Sequence, residues 1–590
     1  MKLKKQYLVK FIVIALLASV SLVISCKKDD PAPNTTTNPP VTNPPEDTTT
    51  IKPGVDPTTA ATVGFFLDSW ESKTFSAPQY NAATIPITTT TTVTVDAGNI
   101  MAKIPVTAFG HNANTWMTSM VDQSDFMTHI TALKPNVIRF PAGSGSDVYF
   151  WNSKPGELPA DVPLNLDDKD GVKKDPGFGF GKTTDNWRAS LDNYYLVLQQ
   201  TNSVGLLTMN YGYARYGTSA DPVATAAHLA ADWVRYDNGR TKFWEIGNEV
   251  YADWEWSYRI DQSLNKDGQP LLITGKLYAQ HFKVFADSMR KAATDIGATI
   301  YIGAVMYESE PASWQADSFK NWNTLMLPEL NNKPDFYIGH NYFTPYNENS
   351  TAATVLNAAL TEPSKMITFM KSTMQSNGAT VKPVAMTEYN MWAQGSKQQV
   401  SNTSGVFAAL VVCEAIKNNY GLTARWDLLN SWADGNDHGL FSDGNEPNVA
   451  KWTPRPSFHY LYYLQRCMGD RMVGTTVPST NTAIKAYAST FTSGETSTVL
   501  ANISATSQSV ELKFKNFKIG DRYYWYTLEG STDNGEFSRK VLINGSGPTQ
   551  VAGGPSNYTT IKARSAVTTG GVKVTVPARS IVFLVVEKGV

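Results

Sequence analysis

The chain has 590 residues, with 51 Lys and Arg against 52 Asp and Glu for a net charge of -1, and 17% charged beside 11% aromatic residues. A balance this neutral lacks the basic footprint that grips a phosphate backbone, so no nucleic-acid partner is expected. The length allows two or three domains at roughly 100–200 residues each, one of them a barrel of about 250, and the composition describes a polar, uncharged, aromatic-rich surface.

Lys2, Lys4, Lys5 and Lys10 precede an apolar run from Phe11 to Ile24 that ends at Ser25-Cys26. A basic start, an apolar centre and a small residue before the cut read as a secretion signal, and the run is short for a membrane span. Val23-Ile24-Ser25-Cys26 resembles a bacterial lipoprotein lipobox in the relaxed form of Bacteroidetes-type lipoproteins. That resemblance implies a signal peptide over residues 1–26 and lipid on Cys26. With Lys27-Lys28-Asp29-Asp30 behind it, it also implies an outer-membrane lipoprotein displayed at the cell surface, a periplasm-facing one being the alternative. Residues 27–60 form a linker: Pro31 to Ala60 holds eight Pro and nine Thr with almost no apolar side chains, a stalk that cannot bury a core. Cys413 and Cys467 sit in apolar helical patterns and are expected in the core rather than in a disulfide. No pair of Cys or His has metal-ligand spacing, so neither a metal nor a cofactor is expected.

Residues 61–100 are β-rich and either add strands to a later sheet or form a small unit of their own. From Val106 a strand-like run, a loop and a helical pattern recur: Val106–Phe109, Val137–Phe140, Leu206–Met209, Phe243–Gly247, Ile300–Val305, Phe336–Asn341, Val384–Thr387 and Ala424–Trp426. Tyr278, Phe282, Phe285 and Met289 mark one face of a helix, Asp221-Pro222 starts another, and Phe458–Met468 closed by Gly469 is the eighth. Alternation of this count predicts a (β/α)8 TIM barrel over residues 101–470. An open doubly wound sheet is disfavoured because no Gly-rich phosphate turn follows a strand. After Gly469, alternating runs such as Val510-Leu512-Phe514 and Val572-Val574-Val576, and the apolar run Ile581–Val586, predict an antiparallel β-sandwich over 471–590.

A barrel places catalytic groups at the C-terminal ends of its strands. The fourth run continues into Gly247-Asn248-Glu249 and the seventh into Glu388, which brings two carboxylates to one rim. Glycosidic cleavage needs such a pair, one acid to protonate the leaving oxygen and one carboxylate to attack. A lone Asn-Glu is weak; the combination resembles the clan A glycoside hydrolases, nearest the α-L-arabinofuranosidases. Asn136-Val137-Ile138-Arg139-Phe140-Pro141-Ala142-Gly143, Thr208-Met209-Asn210-Tyr211-Gly212, and Ala230-Ala231-Asp232-Trp233-Val234 ahead of Trp244-Glu245-Ile246-Gly247-Asn248-Glu249 carry the resemblance, which spans about Val106 to Asp470. It departs at Ala142, where that group carries Gly, and in a long Asp147–Lys182 insertion.

The resemblance implies Glu388 as nucleophile and Glu249 as acid/base of a retaining enzyme without a cofactor. It implies Arg139, Asn210, Asn248, His340 and Tyr342 around them: Arg139 pairing with Glu388, Asn248 donating to a sugar 2-hydroxyl, Tyr342 bonding Glu388, and His340 meeting substrate or Glu249. Glu245, inside the fourth run, reads as the structural partner of an inner-barrel cation. Trp392 and Trp426, just past strands seven and eight, are the aromatic candidates for stacking on sugar faces, ahead of Trp116, Trp151, Trp254, Trp256 and Trp432. Asp434, Asn436, Asp437 and His438 form a polar loop within reach of hydroxyls. The expected partner is a plant or algal polysaccharide or oligosaccharide. The alternatives are an endo-acting glycanase of the same clan and a non-catalytic carbohydrate-binding lipoprotein; a polysaccharide lyase is disfavoured because no Arg and Lys cluster for uronate recognition is evident.

Overall fold

Eight parallel strands pair in sequence order and close on themselves: β1 (Gly110–Asn112), β2 (Val137–Phe140), β3 (Val204–Met209), β4 (Phe243–Ile246), β5 (Tyr301–Val305), β6 (Phe336–Tyr342), β7 (Val384–Asn390) and β8 (Leu422–Arg425). The computed structural model describes residues 51–590 apart from 142, 396 and 433–436, within one compact unit, Thr48–Val590. Helices follow the strands. Pro222–Asp237 starts where Asp221 caps the Ala224 amide at 2.9 Å, and Gly275–Asp295 buries Tyr278, Phe282, Phe285 and Met289.

The first strand lies later than its β-branched run predicts. Val106–Ala108 is a 3-10 turn behind Pro105, with the Thr107 hydroxyl donating to the Gly421 carbonyl at 2.5 Å. The strand begins at Gly110, where a Cβ would stand 2.4 Å from the Thr423 carbonyl oxygen, so the close approach to β8 requires glycine. Gly469 does not close the last helix, Pro456–Cys467, by a left-handed turn; its missing side chain lets the chain pass the Thr490 carbonyl, 2.2 Å from an ideal Cβ.

Residues 60–67 cover the N-terminal floor of the barrel. Phe65 stacks on Tyr301 with centroids 3.8 Å apart, Phe66 meets Phe243 and Phe336, and the Thr62 carbonyl accepts from the Val384 amide at 2.9 Å. The rest of the β-rich stretch joins the trailing sheet, with Tyr80–Ala82 and Thr91–Lys103 as two of its 11 strands. Strands from 471–590 pair antiparallel with one another, as expected; these two N-terminal strands add the parallel pairings, to Ala563–Val567 and Gln508–Lys515, so the sheet is mixed. It folds over a core shared by Val93, Leu512 and Val574 from one end and Trp525, Val582 and Leu584 from the other. Along Ser580–Lys588, Val582, Leu584 and Val586 enter that core, while Ile581, Phe583 and Val585 join the barrel core. One strand thus welds sheet to barrel, each buried large side chain contributing about 1.5–3 kcal/mol.

The Asp147–Lys182 insertion folds as two short ribbons over one side of the barrel mouth. Lys173 bridges Asp167 and Asp261 at 2.8 Å each, and Lys169 lies 3.6 Å from Asp253, so the insertion is fastened to the loop after β4. Cys413 and Cys467 are free and buried, as core residues.

Candidate active site

The site begins with a turn and a bulge. After β4 the chain turns through Gly247 at φ 81° and Glu249 at φ 34°. A Cβ at Gly247 would lie 2.4 Å from Val250 Cγ2, and left-handed backbone at Glu249 costs about 1 kcal/mol that the packing around it sustains. Between β6 and β7 the register slips: Gly339 faces Met386, and His340 faces Glu388, with Thr387 the extra residue. That slip sets His340 and Glu388 side by side at the mouth. His340 and Tyr342, two apart, lean to the same side of β6.

One oxygen each of Glu249 and Glu388 and a ring nitrogen of His340 lie within 4.8 Å of one another. Glu388 is 5% exposed and engaged at both oxygens: the Tyr342 hydroxyl donates to Oε1 at 2.5 Å, and Arg139 Nη1 donates to Oε2 at 3.2 Å. His340 Nδ1 is 3.2 Å from Glu249 Oε1 and 3.7 Å from Glu388 Oε2, with Nε2 held by the Thr387 hydroxyl at 2.9 Å. The Trp254 indole donates to Glu249 Oε2 at 3.2 Å. Burial, reinforced by the Glu249 charge, pushes the Glu388 carboxyl up from its ordinary value; His340, Arg139 and the Tyr342 hydroxyl pull against it. Tyr342 itself is pushed well up by burial and the Glu388 charge, which keeps its phenol protonated as a donor.

Arg139 is the hub beneath the pair. Fully buried, it donates from Nε to Glu245 at 2.6 Å, from Nη1 to Asn112 at 3.0 Å as well as to Glu388, and from Nη2 to Asn248 at 2.9 Å. Burial alone would depress the guanidinium; Glu245 and Glu388 more than reverse this, so its net shift is upward. Glu245 is thus the partner of an inner-barrel cation, and its Oε2 also accepts from Thr208 at 3.0 Å. Asn248 gives its amide to Glu255 at 3.0 Å, leaving one amide proton for a ligand.

The sequence candidates separate here. Arg139, Asn248, Glu249, His340, Tyr342 and Glu388 converge, while Trp392 and Trp426 line the same cleft of about 940 Å³. Trp392 stacks on Tyr342 with centroids 4.4 Å apart. Asn210 does not reach the cleft: its Oδ1 accepts from the Tyr213 amide at 3.0 Å and its Nδ2 donates to Tyr149 and Tyr216, so it fastens the short helix Gly212–Tyr216. Trp151 is buried against Trp233. His438 lines the cleft, its imidazole pushed down to about 3 by burial beside Arg425. Asp434, Asn436, Ala142, Cys26 and the stalk up to residue 50 lie outside the described residues.

Several cleft residues were not anticipated. Glu308, after β5, is 5% exposed; Asn341 donates to its Oε1 at 2.9 Å, Oε2 has no partner, and burial raises its carboxyl to about 8. Trp314 and Tyr346 are 83% and 74% exposed on the rim. Glu255, behind Asn248, is raised well above its usual range by burial, then by Asp147 and Glu249. Loop residues without strand periodicity carry little signal. The available hint was Trp314 in a polar loop, where an indole has no core to enter. Among the described residues, Glu249, His340 and Glu388 are the group that could offer ligand atoms to one metal ion, and they already engage one another and their neighbours.

No known family and no curated protein matches the sequence. The fold is similar to that of an α-L-arabinofuranosidase from Thermotoga maritima, at 17% identity and TM-score 0.57 over 84% of this chain and 100% of that one. It is also similar to CelM2, a bifunctional glucanase-xylanase from a metagenome library, at 11% identity and TM-score 0.55 over 85% and 99%. A third likeness is to a Paenibacillus polymyxa xyloglucanase of glycoside hydrolase family 44, at 11% and TM-score 0.53 over 85% and 100%. These neighbours share the closed eight-stranded barrel with a trailing β-sheet domain.

Proposed function

We propose that the protein is a retaining glycoside hydrolase acting on plant or algal polysaccharides or oligosaccharides, with arabinofuranosidase-like specificity. The observation that carries the reading is the approach of Glu249 and Glu388, one oxygen of each inside 4.8 Å, with Glu388 bonded at both oxygens by Arg139 and Tyr342. An inverting pair stands about 6.5–9.5 Å apart to admit a water, and carboxylates whose nearest oxygens are this close favour direct attack by the carboxylate itself. Glu388 forms an ester to the anomeric carbon as the glycosidic bond breaks, and Glu249 gives its proton to the leaving oxygen. Glu249 then takes a proton from water as that water attacks the same carbon, which frees the sugar and restores Glu388. Arg139 and Tyr342 hold the attacking oxygens, and the remaining amide proton of Asn248 serves the sugar hydroxyl next to the reacting carbon.

A second reading, an endo-acting glycanase, is favoured by exposed aromatics on both sides of the pair: Trp254 and Trp314 after β4 and β5, and Trp116 after β1 on the opposite side of the barrel. The test is hydrolysis of a panel of nitrophenyl glycosides and polysaccharides by the wild type and by Glu388→Gln, which is expected inactive. Azide should rescue Glu388→Gly with an inverted glycosyl azide and Glu249→Gly with a retained one. Full turnover by Glu388→Gln refutes the assignment, and sugar binding without turnover by the wild type supports a binding lipoprotein instead. Anchoring at the cell surface through lipid on Cys26 is part of the proposal; a Cys26→Ala protein that stays in the membrane fraction counts against it.

A further inference from the structure

Asn248 stands immediately before Glu249, and its side-chain amide is gripped by two partners of opposite kind. Arg139 Nη2 donates to its Oδ1 at 2.9 Å, and its Nδ2 donates to Glu255 Oε1 at 3.0 Å. Turning the amide over would set a donor against the guanidinium and an acceptor against the carboxyl, two buried mismatches at once. Arg139 and Glu255 therefore specify one orientation between them. In that orientation one Nδ2 proton stays free, on a residue that lines the cleft.

Glu255 is 3% exposed and lies behind the cleft wall rather than in it. Its Oε1 also accepts from the Ser144 hydroxyl at 2.7 Å, which ties the loop after β2 to the turn after β4. Its neighbour Trp254 donates to Glu249 Oε2 at 3.2 Å, so two consecutive residues hold Asn248 and Glu249 side by side. Asp147 accepts from the Asn248 backbone amide and from the Ser257 hydroxyl, each at 3.4 Å. The second oxygen of Glu255, Oε2, is buried and has no partner in the protein, a poor place for a negative charge. Burial first, then Asp147 and Glu249, raise this carboxyl well above its usual range, so it keeps its proton. A neutral acceptor here orients Asn248 without setting a further charge against Glu249.

We propose that Glu255 is a positioning residue for the reaction: by accepting one Nδ2 proton of Asn248, it aims the other at the sugar hydroxyl next to the reacting carbon. What it supplies is an acceptor, not a charge. This rests on the glycosidase reading and goes beyond it, since one substrate contact then depends on a residue that touches no substrate.

The experiment is a cycle between protein and substrate. It measures kcat/KM on a nitrophenyl glycoside that the wild type cleaves and on its 2-deoxy counterpart, for wild type, Glu255→Gln, Glu255→Asp and Glu255→Met. The ratio of the two substrates on one preparation is untouched by any inactive fraction, and comparing ratios between proteins cancels the intrinsic reactivity of the deoxy sugar. Methionine removes the acceptor, and aspartate keeps the carboxyl but withdraws it by one methylene. Both should lower the hydroxy-to-deoxy ratio about tenfold. Glutamine offers a carbonyl oxygen at the same reach and should stay within about threefold of wild type. If Glu255→Met does not fold, Glu255→Asp carries the comparison. A merely structural Glu255 would slow both substrates alike: ratios within about twofold of wild type in the methionine and aspartate variants overturn the positioning role and leave the glycosidase reading standing. A glutamine ratio that falls as far as the methionine one overturns the neutral acceptor. A wild type that cleaves no glycoside overturns the glycosidase reading, and the hold on Asn248 is then read from melting temperatures. There the summed losses of Glu255→Met and Asn248→Ala should exceed the loss of the double variant, and additive losses overturn the pairing.

Discussion

Tyr342→Phe isolates one bond of the candidate nucleophile. The phenol donates to Glu388 Oε1 at 2.5 Å, the shorter of the two bonds that hold this carboxylate, while the ring stays stacked on Trp392 at 4.4 Å without it. The substitution therefore removes a donor and little packing. A hydrogen bond to a charged group is worth about 1.5–3 kcal/mol, and at Glu388 it stabilises the ionised form alone. Losing it raises the carboxyl's affinity for its proton above a level that burial has already lifted. Less of the enzyme then carries an ionised nucleophile at a given acidic pH. On the acid side of the profile kcat/KM should fall by about 10- to 150-fold, the factor those energies convert to, and the loss should shrink as pH rises past the limb. The assay is kcat/KM against pH on a nitrophenyl glycoside for both proteins. Acid limbs that coincide, with equal rates on them, refute the claim that Tyr342 holds Glu388 ionised.

Glu308→Gln tests a buried acid that the structure keeps neutral. Its carboxyl is raised from 4.5 to about 8, so the folded state binds the extra proton between these values and its stability falls as pH rises through that window. The amide cannot ionise; the variant should lose that part of the slope and gain thermal stability relative to wild type between pH 5 and pH 8, and melting curves that shift in parallel rule this out. Gly143→Ala tests the second-strand motif: Gly143 has φ 74°, and a Cβ there would stand 2.6 Å from Trp426 Cη2. At ψ -169° this backbone is essentially reserved for glycine, so the methyl should cost about 1–3 kcal/mol in strain and displace a cleft-lining indole, lowering both the melting temperature and kcat/KM. An unchanged variant on both measures contradicts that packing.

The legible parts were those with local periodicity. Seven of the barrel runs overlap the observed strands because β-branched and aromatic residues recur between helical patterns; Val106–Phe109 failed because Pro105 and the Thr107 bond to Gly421 turn that run into a 3-10 helix. Glu249 and Glu388 were readable because each ends such a run. Asn210 also ends one, yet it serves as a cap, since a helix starts two residues later and its orphan amides need a nearby acceptor. The long-range pairing of Thr91–Lys103 with Gln508–Lys515, some 400 residues on, leaves no local trace. Nor does the one-residue slip at Thr387, which needs two paired strands before it has meaning. Trp314 was passed over because a loop has no period against which its exposure could be measured.

Arg139 shows why closure of the barrel, and not the motifs alone, makes the site. The residue could be named as a partner of Glu388 from its place at the end of β2, but its partners come from three other strands: Asn112 on β1, Glu245 and Asn248 on and after β4, and Glu388 on β7. Each contact fixes one donor of a planar, rigid fork, so the directions from the barrel axis to Glu388 and to the turn bearing Glu249 are set together. A guanidinium bonded to both Glu245 and Glu388 cannot follow one carboxylate without leaving the other buried and unpaired, which costs several kcal/mol. The approach of the two carboxylates, with one oxygen of each inside 4.8 Å, is therefore held from beneath before any substrate arrives, and the chemistry does not have to organise it.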